Sequence, residues 1–79
     1  MEKETQEILA MLAKQLNKKV EDIKMDKRIK EDLGADSLDV VEILMSIEDK
    51  YGVTVPDEDV MKVRTVGDLV QLVDKMAGN

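Results

Sequence analysis

The sequence predicts an all-α fold, a four-helix bundle with a long first loop and a short third helix, in one domain covering residues 1–79. Three observations carry that prediction. Apolar residues recur at the 3.6-residue period of amphipathic helices in three separate stretches. The apolar set is mostly Leu, Ile, Val and Met, with Tyr51 as the one aromatic residue, a composition that suits helices better than sheet. Gly, Pro and acidic residues punctuate the chain where helices start or stop. A domain of this size buries only about 60% of its unfolded surface, so its core is thin and a large enclosed active site is not expected.

In the first helix, residues 5–16, Ile8, Met11, Leu12 and Leu16 share a face, with Leu9 at its edge. Asn17, Lys18 and Lys19 break the pattern. From there to Leu33 the apolar residues Val20, Ile23, Met25, Ile29 and Leu33 stand singly among charges, which reads as a long pinned loop with one helical turn over residues 20–23.

Gly34 and Ala35 interrupt the chain, and Asp36 with Asp39 three positions later forms an acidic version of the capping box. The second helix therefore starts at about Ser37 and runs to about Tyr51, where Gly52 supplies a left-handed stop. Pro56, Asp57 and Glu58 place a proline and two acids at the start of the short third helix, which should end near Lys62 or Val63. Thr65 and Asp68 open the fourth helix, whose stripe is Val66, Leu69, Val70, Val73 and Met76, before Gly78. The length of the first loop predicts that the first and second helices run parallel rather than as a hairpin.

Eighteen acids against twelve bases give a net charge of −6, which disfavours nucleic acid and favours basic protein surfaces as partners. The chain has no Cys and no His, so it lacks thiolate ligands, the commonest metal ligand and the usual general base. Any thiol chemistry needs an imported thiol. Glu2, Lys3 and Glu4 stand where a secretory signal would be basic and then apolar, and no stretch approaches the ~20 apolar residues of a membrane span. A cytoplasmic monomer is the expectation.

Ser37 cannot act as a hydrolase nucleophile, because no imidazole exists to take its proton. In the first turn of a helix, its oxygen lies beside unsatisfied N–H groups and the positive end of the helix dipole, which favour an attached phosphate. On local physics alone, an ordinary exposed serine behind an Asp36 cap is the favoured reading of the position.

The wider context separates these readings. The run Asp32-Leu33-Gly34-Ala35-Asp36-Ser37-Leu38-Asp39, followed by Val41-Glu42, resembles the phosphopantetheine attachment motif of bacterial acyl carrier proteins. The resemblance extends from the first helix through Pro56-Asp57-Glu58 to Thr65-Val66. It implies that a phosphopantetheinyl transferase joins 4'-phosphopantetheine from coenzyme A to Ser37, and that acyl intermediates ride on the arm as thioesters. The protein would then be a carrier and not an enzyme.

The second helix is apolar on two sides. Val40, Ile43, Leu44, Ile47 and Tyr51 form the expected core face, while Leu38, Val41 and Met45 form a second strip roughly 140° away. That strip either packs under the third helix or stays exposed for docking. Charge favours docking: residues 36–59 hold eight acids against Lys50 alone, a balance of −7 that leaves +1 for the rest of the chain. Such a face steers basic enzymes and releases them readily, since exposed ion pairs are worth about 0–1 kcal/mol each. Reversing Glu42 or Glu48 to Lys should therefore weaken partners with little loss of stability.

The resemblance maps the partner surface onto Asp36, Leu38, Asp39, Val41, Glu42, Met45, Glu48, Asp49, Asp57, Glu58 and Met61. It also implies an acyl-chain pocket in the bundle, with Val40, Ile47, Val60 and Val63 as candidates, although ordinary core packing explains those residues too. Ile29, where the family often has an aromatic, Met61 at a usually polar site, and the basic loop residues Lys24, Lys27, Arg28 and Lys30 depart from the family pattern.

Carriers of polyketide, peptidyl or D-alanyl pathways would share the serine and the bundle. The acidity and the run at residues 34–39 favour bacterial type II fatty acid synthesis. Outside the carriers, an unmodified acidic helical interaction module remains, as does a calcium binder using Asp36, Asp39 and Glu42. The EF-hand spacing that a calcium site would need is absent.

Overall fold

Four α-helices and one short 3₁₀ turn make up the chain in the computed structural model, which describes residues 2–77. The first helix, α1 (Glu2–Leu16), starts earlier than its apolar stripe because Lys3 and Glu4 are good helix formers. It ends where Asn17 takes a left-handed conformation (φ 56°), with the Lys18 N–H returning to the Ala13 carbonyl at 2.9 Å.

The 3₁₀ turn (Val20–Asp22) is the helical turn expected within the loop, closed by the Ile23 N–H on the Val20 carbonyl. α2 (Ser37–Tyr51) starts at its capping box and stops at left-handed Gly52 (φ 66°), as its sequence signals require.

α3 (Asp57–Val60) is shorter than expected. After the Met61 N–H bonds to the Asp57 carbonyl, Lys62 and Val63 reach back only three residues, to Asp59 and Val60, so tight turns replace the helix. α4 (Val66–Ala77) follows the cap at Thr65, and the expected stop at Gly78 lies outside the described residues.

The core forms where the apolar stripes of these helices meet. Ile8 and Leu12 of α1, Ile47 of α2, and Val66, Leu69 and Val73 of α4 are its most deeply buried side chains. Ile43 and Leu44 are buried beside them, and Val40 and Tyr51 are half-buried at the edge of the same α2 face.

α1 and α2 run antiparallel, which corrects the parallel arrangement inferred from loop length. Near the start of α1, Glu7 accepts a 2.7 Å hydrogen bond from the Tyr51 hydroxyl at the end of α2, with the Lys50 ammonium 3.8 Å away. At the far end of α1, Gln15 donates to Asp39 and Glu42 at the start of α2, at 3.3 and 2.6 Å. The long loop does not carry the chain along the bundle. It folds across one end, with Ile23, Ile29, Leu33 and Ala35 buried in the core as pins.

The loop is also tied to the start of α4. The Ile29 N–H donates to the Arg64 carbonyl (2.9 Å), the Val66 N–H to Lys27 (3.0 Å) and the Gly67 N–H to Met25 (2.9 Å). Among the described residues no helix is long and apolar enough to cross a membrane.

Candidate functional site

Residues 28–36 deliver the chain to Ser37. The Asp32 and Leu33 N–H groups both return to the Arg28 carbonyl, Gly34 to Lys30 and Ala35 to Ile29, a tight coil that needs the left-handed conformation of Gly34 (φ 76°). The Asp32 carboxylate accepts from the Arg28 N–H at 2.8 Å and lies 3.4 Å from the Arg28 Nε. The Arg28 backbone N–H first, and its guanidinium next, hold that carboxyl below its usual range.

The coil ends at a reciprocal cap. Asp36 Oδ1 accepts from the Asp39 N–H at 2.8 Å, and Asp39 Oδ2 accepts from the Asp36 N–H at 3.2 Å. Ser37 is thereby the first residue of α2, solvent-exposed, with the Lys30 Nζ 3.4 Å from its hydroxyl oxygen. An exposed oxygen at a helix start, clear of the core, fits a bulky phosphate-linked group without repacking. Among the described residues, His, Cys, Asp and Glu form no cluster of three or more that fits a metal ion.

The second apolar strip of α2 does not pack under α3. Leu38, Val41 and Met45 are 64%, 49% and 61% exposed, and Met61 beyond α3 is 81% exposed. Glu42, Asp49, Asp57 and Glu58 are exposed as well, so the strip carries an acidic border. Other acids of the set are committed to the fold: Asp36 and Asp39 to the cap, and Glu48, half-buried, to a 2.8 Å hydrogen bond from the Val55 N–H. That bond corrects the expectation for Glu48→Lys, which would strip the connector before α3 of an acceptor as well as reverse a charge.

Of the four pocket candidates, the structure brings three together. Val40, Val60 and Val63 line a cleft of about 440 Å³ with Ile29, Lys30, Glu31, Met61 and Arg64. Ile47 is fully buried in the core and does not reach the cleft. Behind the cleft, Ile29, Val40 and Val63 also border a void of about 10 Å³ against Ile43, Leu44 and Leu69. The cleft thus backs directly onto packed core.

The sequence reading missed Lys30 beside Ser37, Gln15 on Glu42, Glu48 on Val55, and Arg64 at the cleft. The first three join residues of different elements, and no periodicity within one element marks them.

The comparisons agree with this geometry. Residues 6–73 match the family model described as the phosphopantetheine attachment site. An acyl carrier protein of Wolinella succinogenes is 44% identical over 68 residues, covering 86% of this chain and 90% of that protein. One of Rickettsia canadensis is 46% identical over 68 residues, covering 86% and 79%. Among solved structures, the thermally stable acyl carrier protein of Enterococcus faecalis superposes with a TM-score of 0.80 at 30% identity, covering 94% of each chain. Helical order, exposed serine and sequence kinship converge, and the chain belongs to the acyl carrier proteins, non-catalytic carriers with a phosphopantetheine attachment site.

Proposed function

We propose that Ser37 is the attachment residue and that the protein carries acyl intermediates of fatty acid synthesis. The observation that carries this reading is the exposed Ser37 hydroxyl at the start of α2, in a chain with no His or Cys of its own. When bound, the 4'-phosphopantetheine arm supplies a terminal thiol on which an acyl group is held as a thioester. The chain's own residues hold and present. The Asp36–Asp39 cap fixes the serine backbone, and the coil at residues 28–35 keeps it on the surface.

Leu38, Val41, Met45 and Met61, bordered by Glu42, Asp49, Asp57 and Glu58, supply an apolar centre and a charged rim for enzymes with basic docking patches. The phosphopantetheinyl transferase is one of these partners, and fatty acid synthesis enzymes are the others. Val40, Val60 and Val63 offer the acyl chain an apolar wall in the cleft. The protein works as a cytoplasmic monomer.

The test is incubation with coenzyme A and a phosphopantetheinyl transferase, followed by intact mass. One arm is expected on the wild type and none on Ser37→Ala. A wild type left unmodified by an active transferase overturns the assignment.

Docking is tested separately with Glu42→Lys, which lies outside the cap. It should raise KM for partner enzymes at low salt while leaving the melting temperature nearly unchanged. Unchanged kinetics would move the docking surface elsewhere.

A further inference from the structure

Lys30 is placed as a cation waiting for an anion. Its ammonium lies 3.4 Å from Ser37 Oγ, and among the described residues no carboxylate forms an ion pair with it. The acids next to it in sequence are turned elsewhere: Glu31 and Asp32 face Arg28, at 3.8 and 3.4 Å.

The backbone holds this arrangement in place. Ile29 is buried and bonded through its N–H to Arg64, Ala35 returns to Ile29 and Gly34 returns to Lys30, so a residue seven positions upstream is folded back onto the serine. Lys30 also stands at the cleft, beside Glu31 and Arg64.

Beside a neutral hydroxyl the ammonium gains little. Beside a phosphodiester it gains an ion pair, in a neighbourhood where the acids of α2 would otherwise repel the new charge. We propose that Lys30 is the positioning residue for the arm, pairing with the phosphodiester on Ser37 and tethering its root on the cleft side of the site. This rests on Ser37 being the attachment residue. The pair is exposed, so it is modest in strength and weakens with salt.

The experiment is a thermodynamic cycle of apo and holo protein in wild type, Lys30→Met and Lys30→Arg, with loading verified by intact mass. At low salt the rise in melting temperature from apo to holo should be about 1–5 °C larger in wild type than in Lys30→Met. Lys30→Arg should keep the increment, and high salt should remove it. The ³¹P resonance of the arm gives a second readout that packing alone would not move. It should respond to salt in wild type and Lys30→Arg, and respond less in Lys30→Met.

Equal increments and the same ³¹P salt response in all three proteins would overturn the role of Lys30. A wild type that takes no arm, or a Ser37→Ala variant that takes one, would overturn the attachment reading instead.

Discussion

The starts of α2 and α4 use the same cap in opposite surroundings. At α2, Asp36 and Asp39 exchange side chain to backbone hydrogen bonds, and at α4 Thr65 and Asp68 do the same. Beyond the cap the two diverge. The first residue of α4, Val66, is fully buried and bonded to the loop, whereas α2 opens with exposed Ser37 and Leu38. One start is a joint of the fold, and the other is held out to solvent by equally firm local bonding. Local order and burial are therefore separable, and the exposed start keeps its geometry without a core behind it.

This contrast is tested most severely by Val66→Ala. Removing buried methyl groups at the α4 joint should destabilise by about 2 kcal/mol in denaturant unfolding. A loss comparable to that of a surface residue would mean that the Val66 side chain does not anchor the start of α4 in the core.

The caps themselves should respond alike: Asp36→Ala and Thr65→Ala are each expected to lose about 1 kcal/mol. Hydrogen exchange should locate the fraying at α2 in the first and at α4 in the second. Gly34→Ala belongs in the same range, about 1 kcal/mol. A Cβ there meets nothing within 4 Å, so the penalty is that of the left-handed backbone alone.

pH sharpens the comparison further. The backbone N–H groups of Thr65 and then Arg64 hold the Asp68 carboxyl below its ordinary value. A depressed carboxylate stabilises the fold above its unfolded pKa and loses that contribution as pH falls through its folded pKa. Stability should therefore decline below about pH 4, and Asp68→Asn should flatten that acid limb. The smallest effect is expected at Leu38→Ala, within about 0.5 kcal/mol in stability. A larger loss would show that the α2 strip contributes to the core after all.

How much of this was legible in the sequence depended on whether a feature is local. Both capping boxes, the Gly52 stop and the turn after Lys19 are written in residues a few positions apart, and all were readable. The stripes of Ile8 and Leu12, of Ile43 and Ile47, and of Leu69 and Val73 were readable because helical periodicity reports burial directly.

The direction of α1 relative to α2 was not readable. It shows only in contacts between distant residues, Glu7 with Tyr51 and Gln15 with Glu42, and loop length is a poor guide because Ile23, Ile29 and Leu33 fold the loop into the core. α3 was overextended because Pro56 and its acids mark a beginning without marking an end. At the site, the motif exposed Ser37 but not Lys30, whose approach depends on a glycine turn between them. The resemblance places Ile47 with Val40, Val60 and Val63 as a pocket candidate, and burial depth separates it from those three.

The seam between α1 and α2 also holds an acid in place. Gln15 donates to one oxygen of Glu42 at 2.6 Å, and the carboxylate keeps the accepting capacity of its other oxygen. On the docking reading proposed above, a cation arriving there meets a side chain whose rotamer is already fixed, so less conformational freedom is lost at each encounter.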